Sequence, residues 1–148
     1  MNEIYSSRFL NKKIRRTENR LAVDLSMPRW HRAKLENDLE WLLTWSIKRV
    51  SGPDYLWCDG AKGLQIVRLS KRSFSLDATV LIGPESDVSQ LHEATLQGVV
   101  FLSSHGKKLK EYELAVRLGS SEYVVSKKLN NRLHGDRFSA ALRLQTGA

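Results

Sequence analysis

FSLDATVLI, residues 74–82, places an apolar side chain at every second position and a polar one at three of the four positions between. This period of two is typical of a β-strand with one face on a core and the other in water. A Gly-Pro pair follows directly and indicates where the strand ends. We therefore predict a strand here, with Phe74, Leu76 and Val80 in the core.

The same alternation returns nearer the C-terminus, in residues 109–118 and 138–144. The second of these stretches places Leu142 and Leu144 on the core side. Residues 94–103 form a further candidate strand, because they are uncharged and rich in apolar side chains. Consecutive alternating strands of this kind predict an antiparallel meander with one face on the core and one in solvent.

Two shorter apolar runs precede this region, at residues 55–58 and 64–69. The residues between them, 59–63, include two glycines and are typical of a turn. We interpret the segment as a hairpin connection between two separate strands.

The best helical segment runs from Arg29 to Val50 and contains no internal proline or glycine. Ser26 is a candidate N-cap and Pro28 suits a first turn. The leucines at positions 35, 39, 42 and 43 recur at the helical period and define one apolar face. We interpret Leu21–Leu25 as a strand-like piece. The sequence thus predicts an α+β fold in one domain, residues 1–148, with one long amphipathic helix packed on a mainly antiparallel β-sheet.

An alternative covers residues 114–130, which resemble the helix-turn-helix pattern of DNA-binding proteins. Ala115 lies where the first helix of that pattern needs a small residue, and Gly119 lies at its turn. The resemblance implies a second helix in the major groove, with Tyr123, Lys127 and Arg132 within reach of DNA.

The charge of the chain is +8 and is unevenly distributed. Residues 1–74 hold 15 Lys and Arg against 8 Asp and Glu, whereas residues 75–148 hold 9 against 8. Residues 1–20 form a basic N-terminal segment, either a short helix or an arm. Such asymmetry favours an anionic partner, although a basic surplus also promotes solubility alone.

We predict a non-enzymatic nucleic-acid-binding or regulatory protein that contacts the phosphate backbone through basic clusters. The predicted contacts are the basic residues of two clusters: Lys12, Lys13, Arg15, Arg16, Lys127, Lys128 and Arg132.

Two tryptophans support an alternative function. On a helical wheel Trp30 and Trp41 lie opposite the leucine face, where exposed rings would stack on bases or anchor a protein. The second hypothesis is accordingly a protein-binding accessory factor, an adaptor or an inhibitor. The basic segment would instead bury both rings if it packed over them.

The sequence has little that indicates catalysis. The four histidines are far apart, no metal-binding or nucleotide-binding spacing is present, and we expect neither a metal nor a cofactor. Cys58, the single cysteine, is interpreted as a small core residue of a cytoplasmic protein that does not enter membranes. A small ribonuclease is the third hypothesis, because residues 4–10 are similar to the start of bacterial ribonuclease toxins.

Overall fold

The structure is a computed structural model, which describes residues 6–51, 56–84, 87–130 and 135–144. Its side chains are described for residues 6–49 and, apart from 85, 86 and 88, for residues 58–127. Two helices come first in the described chain, α1 (Ser7–Ser26) and α2 (Arg32–Ser51). The strands follow in order: β1 (Leu56–Ser70), β2 (Ser73–Pro84), β3 (His92–Leu102), β4 (Leu109–Leu118), β5 (Ser121–Asn130) and β6 (Gly135–Leu144). A short 3-10 helix precedes β3.

The α+β class holds, but the prediction of one long helix is wrong. Helix α1 occupies most of the basic segment and also Leu21–Leu25, which we had interpreted as a strand. Ser6 caps this helix, because its Oγ accepts a hydrogen bond from the Phe9 N–H at 3.3 Å. The helix ends at Met27, whose backbone is extended at φ −70° and ψ 149°. Pro28 causes this ending, since a proline disfavours the helical conformation of the residue before it.

Helix α2 begins at Arg32, three residues later than Arg29. Ser26 belongs to the end of α1 and does not cap α2. Its Oγ lies 2.8 Å from the carbonyl oxygens of both Ala22 and Gly106. This contact attaches the turn between β3 and β4 to the end of α1.

The six strands form one sheet in the order of the sequence, and each strand pairs antiparallel with the next. The predicted meander is therefore confirmed. Phe74, Leu76 and Val80 are each about 1% exposed, which confirms their place in the core. The core prediction for Leu142 and Leu144 lies outside the described side chains, although both residues belong to strand β6.

The predicted hairpin connection at residues 59–63 is wrong, because β1 continues through it as a single strand. The pairing of β1 with β2 shifts by one residue between Cys58 and Ala61 and again between Lys62 and Gln65, as in β-bulges. Gly60 and Gly63 absorb the two shifts with φ angles of 92° and 65°, which side chains other than glycine rarely adopt.

The helix-turn-helix alternative is also wrong, because residues 114–130 lie in the hairpin formed by β4 and β5. Leu118 pairs with Ser121, which leaves a turn of two residues. Gly119 occupies the first turn position with φ 59°, the arrangement that favours the twist of a β-hairpin.

Helix α2 packs against the sheet, where it contacts β1 at one edge and β5 and β6 at the other. Its predicted leucine face is fully buried. A second stripe on α2 holds β1 by polar contacts: Thr44 Oγ1 donates to the Cys58 carbonyl at 2.9 Å, and Glu36 Oε2 accepts from the Leu64 N–H at 3.1 Å. Helix α1 packs on α2 and also contacts β4, so one side of α1 remains in solvent.

Candidate nucleic-acid interface

The solvent side of α1 contains a continuous set of cationic side chains. We call this set the cationic face; its exposed members are Arg8, Lys12, Arg15, Arg16 and Arg20. The spacing of three to four residues between most of these positions keeps them on one side of the helix. Three residues predicted as phosphate contacts, Lys12, Arg15 and Arg16, belong to this set.

The two acidic residues of α1 lie on its other side. Glu18 is 4% exposed and Asp24 is 7% exposed, because both point toward the rest of the protein. The cationic face therefore contains no carboxylate from its own helix. Arg20 lies within ion-pair distance of Asp38 on α2, but the face as a whole is not neutralised by its own helix, as it would be on a helix with alternating charges.

A groove of about 640 Å³ lies beside the cationic face, at the side of α1 next to the beginning of α2. Its lining combines four cations with one carboxylate and two uncharged side chains: Lys13, Arg16, Arg20, Lys34, Asp24, Asn19 and Val23. A volume of this size falls in the range of small-molecule sites, which is about 300–1,000 Å³.

Asp24 of α1, which lines this groove, forms a pair of neighbouring carboxyl groups with Asp38 of α2. Their side chains are only 8% and 3% exposed. Lys34 Nζ lies 3.4 Å from Asp24 Oδ1, and Arg20 Nε lies 4.0 Å from Asp38 Oδ1. Burial, together with the hydrogen bond to Asp24 and its charge, raises the pKa of Asp38 from 3.8 to about 7. Asp38 therefore exchanges its proton near neutral pH, beside the carboxyl group of Asp24.

Lys13 differs from its neighbours because its ammonium group is held over aromatic rings. Its Nζ lies 5.5 Å from the ring centroid of Phe9 and 5.9 Å from that of Trp45. Such cation–π contacts contribute about 0.5–1 kcal/mol at exposed sites. Lys13 thus joins α1 to α2 while it also lines the groove.

The second predicted cluster is arranged differently from the cationic face. Lys127 is about 13% exposed and points inward, where its Nζ lies 3.3 Å from Glu18 Oε1 and 3.2 Å from the Leu109 carbonyl oxygen. Tyr112 donates its hydroxyl to Glu18 Oε2 at 2.6 Å. Burial raises the pKa of this tyrosine well above 10, so it remains a donor. The Lys128 side chain and Arg132 lie outside the described residues.

The two tryptophans predicted as a partner surface contact different parts of the protein, and both are half-buried. The indole N–H of Trp30 donates to the Leu25 carbonyl at 3.0 Å, and its ring meets Phe74 edge to face at 5.9 Å. Trp41 stacks on Trp45 with 5.2 Å between ring centroids. Much of the surface of each ring therefore already contacts other residues of this chain.

Groups that would support catalysis are sparse in the described part of the chain. No cluster of three or more His, Cys, Asp or Glu side chains there has a geometry suited to a metal ion. Cys58 is fully buried, which confirms its interpretation as a core residue. Burial, with smaller contributions from Glu40 and Asp59, raises the pKa of its thiol to about 12. A thiol with such a pKa is a poor nucleophile near neutral pH.

Compared with protein-family models, curated proteins and solved structures, the chain shows no match to any of them. Neither described helix is both long and apolar enough to cross a bilayer. The functional argument therefore depends on the geometry and charge of the chain itself.

Sequence reasoning missed Arg20, Lys34 and the pair formed by Asp24 and Asp38. The missing signal was the helical period of α1 beyond residue 20. Had Leu21–Leu25 been assigned to a helix, the wheel would have placed Asp24 on the buried side and Arg20 beside Arg16.

Proposed function

We propose that this protein binds nucleic acid through the phosphate backbone, using the cationic face of α1, and that it does so without catalysing a reaction. One observation carries the proposal: every exposed charged side chain on α1 is basic, while both of its carboxylates are buried. Lysines and arginines that contact phosphates release condensed counterions, and this release is a large part of nucleic-acid affinity.

The length of the cationic face suits a run of phosphates. Arg8 and Arg20 are about 18 Å apart along the helix axis, because an α-helix rises 1.5 Å per residue. Phosphates on one strand of a duplex are about 3.4 Å apart along its axis, so this length corresponds to about five of them. Four or five side chains on the face can each contact a phosphate without bending the helix.

The chemistry of the face favours backbone contacts over the reading of base sequence. Four of its five members are arginines, whose planar guanidinium groups bind phosphate oxygens in a bidentate manner. Contacts of this kind position a protein on nucleic acid but carry no direct sequence information. We therefore expect affinity for many sequences.

The test is the dependence of affinity on salt, measured with a single strand and with a duplex. The log of affinity should fall with the log of salt concentration, with a slope of about 0.7 to 0.9 per phosphate contact. Changing four residues of the cationic face to alanine should reduce that slope by about two to four units. The four substitutions are Arg8→Ala, Lys12→Ala, Arg15→Ala and Arg16→Ala.

The matched control removes four exposed lysines from other parts of the surface, so the loss of net charge is the same. These substitutions are Lys62→Ala, Lys71→Ala, Lys108→Ala and Lys110→Ala. The control should retain most of the salt slope. Equal slopes for the two variants would show that net charge, and not α1, determines binding. The absence of binding to any DNA or RNA at low salt would refute the proposal.

A second candidate function, docking of a protein partner, is favoured by the outward face of the sheet. Val67, Leu69 and Phe101 are large apolar side chains that are each 43–55% exposed there. Glu111 and Glu113 pair with Phe101 and Val99 across β3 and β4, which adds negative charge beside the apolar side chains. Phe101→Ser would weaken such docking but leave the salt slope of nucleic-acid binding unchanged, so the two functions are separable.

A further inference from the structure

The buried carboxyl pair and the groove depend on the same two cations. Arg20 and Lys34 each line the groove, and each lies within ion-pair distance of one member of the pair, Asp38 and Asp24 respectively. A phosphate that enters the groove must therefore attract cations that already face a buried negative charge. The charge state of the carboxyl pair determines how strongly the pair attracts these cations, and therefore how freely they can bind a phosphate.

The charge balance differs sharply between the two protonation states. With one proton the pair carries a single negative charge against the two cations, which leaves one positive charge for an anion. With no proton the pair carries two negative charges and neutralises Arg20 and Lys34 completely. The pair with no proton therefore attracts Arg20 and Lys34 more strongly than the pair with one proton does.

We propose that the binding of nucleic-acid phosphate in this groove is coupled to a proton on Asp38, which lies beside Asp24. The inference rests on the proposed function and adds a mode of regulation to the same surface. The proton favours binding because it releases part of the attraction that the carboxyl pair exerts on Arg20 and Lys34. A bound phosphate in turn favours the protonated pair, since coupling between two ligands of one protein is reciprocal.

Two features of the pair support a retained proton. The Oδ2 atoms of Asp24 and Asp38 are both buried, and no N–H or O–H group of the described residues donates to either. Two carboxylates in such a position repel each other unless one of them is protonated. The raised pKa of Asp38, about 7, places the loss of this proton near physiological pH.

The charged groups around Asp38 come from the two helices that pack on each other here. Asp24 and Arg20 face it from α1, and Lys34 faces it from one turn earlier in α2. His31 is close to this group in sequence and its Nδ1 accepts a hydrogen bond from the Lys34 N–H at 3.3 Å. Histidines in general gain a proton in the same pH range, so His31 needs its own control.

The experiment measures the affinity of the full chain for an unmodified oligothymidine strand from pH 5.5 to pH 8.5, at constant ionic strength. Thymine does not titrate in this range, and a strand without terminal phosphates keeps a constant charge. The dye used for fluorescence anisotropy should not respond to pH. We expect affinity to fall about fivefold or more as the pH rises across this range, the lower end of usual coupling between sites.

Substitutions identify the group that causes the pH dependence of affinity. Asp38→Asn and Asp24→Asn each remove the titrating pair, so the ratio of affinities at the two ends of the pH range should approach one. Glu93→Gln changes an exposed carboxylate on β3, and His31→Gln removes the nearby imidazole; both should preserve the wild-type ratio. Calorimetry in buffers of different ionisation enthalpy should show proton uptake on binding near pH 7 in the wild type and none in Asp38→Asn.

The outcomes separate this inference from the proposed function. Binding that is equally tight at pH 5.5 and pH 8.5 would overturn the proton coupling while nucleic-acid binding stands. A pH profile that becomes flat in His31→Gln and persists in both aspartate variants would also overturn it. A failure to bind the strand at any pH in low salt would refute both proposals together.

Discussion

The two sides of helix α1 use charge in opposite ways. On the inner side, Glu18 and Asp24 are buried and each has a cation of the protein as its partner. On the outer side, Arg8, Lys12 and Arg15 are exposed to solvent. The same twenty residues thus contain both acids that fix the helix in place and cations available to an external anion. We expect substitutions on the inner side to change stability and those on the outer side to change binding.

This division also explains why the net charge of the chain is a poor guide to its partner. The excess of positive charge is +8 for the whole chain, yet the outward face of β2 and β3 contains Asp77 and Glu93 and no lysine or arginine. An approaching polyanion would be attracted to the helices and repelled from this part of the sheet. The arrangement of charges, more than their sum, favours one side of the molecule.

The largest effect should come from Glu18→Ala on the inner side. This substitution leaves Lys127 without its buried partner and Tyr112 without its acceptor. Removing one member of a buried ion pair costs about 3–5 kcal/mol, because the other charge remains uncompensated. Chemical denaturation of the variant should show a loss of unfolding free energy in this range.

The control is Glu93→Ala, which removes an exposed carboxylate and should change stability by less than about 0.5 kcal/mol. A double-mutant cycle between Glu18→Ala and Lys127→Ala should give a coupling energy of about 0.5–3 kcal/mol. Equal stabilities for the two glutamate variants would contradict the distinction between the sides of α1.

An intermediate effect should appear as a pH dependence of stability. The pKa of Asp38 is raised in the folded protein to about 7, so the folded state binds more protons than the unfolded state between about pH 4 and pH 7. This contribution to stability is complete below pH 4 and is lost as the pH rises through 7. Asp38→Asn should therefore gain about 1–3 kcal/mol relative to wild type between pH 5 and pH 8.

Thermal unfolding of both proteins over this pH range provides the measurement. The difference in melting temperature between Asp38→Asn and wild type should grow with pH. A constant difference would show that Asp38 is ionised throughout the range and keeps no proton near neutral pH.

The smallest effect on stability should come from the outer side. Arg16→Ala removes an exposed charge, and such substitutions usually change the unfolding free energy by less than about 0.5 kcal/mol. The same substitution should reduce the salt slope of nucleic-acid binding by about one unit if Arg16 touches a phosphate. A loss of stability similar to that of Glu18→Ala would mean that both sides of the helix are structural.

The sequence predicted the sheet better than the helices, and the reason is physical. Alternation along residues 74–82 depends on a single buried face, which a strand reveals directly in its sequence. Leu21–Leu25 is a short apolar run without a clear period, and such a run fits a strand or a buried helical turn equally well. Only the packing of α1 on α2 decides between them. The bulges at Gly60 and Gly63 were likewise hidden, since a glycine in an apolar region indicates a turn as readily as a bulge.

The site could be predicted only in part. Lys12, Arg15 and Arg16 form a local cluster, so their sequence spacing is enough to suggest a cationic surface. The approach of Asp24 to Asp38 joins two helices, and no pattern within either helix reports it. The inward position of Lys127, which we predicted as a phosphate contact, escaped prediction for the same reason, because its partner Glu18 lies far away in the sequence. A residue whose partner lies on a different helix or strand can be recognised only once the fold is known.

The order of strands has a consequence for how the chain reaches its folded state. Since each strand pairs with its neighbour in sequence, the sheet can grow one hairpin at a time as the polypeptide leaves the ribosome. The two helices precede the sheet in the sequence and provide an apolar surface on which β1 can pack early. The contact between α2 and β6 joins elements that lie far apart in the sequence, so the sheet covers α2 completely only after β6 has been made.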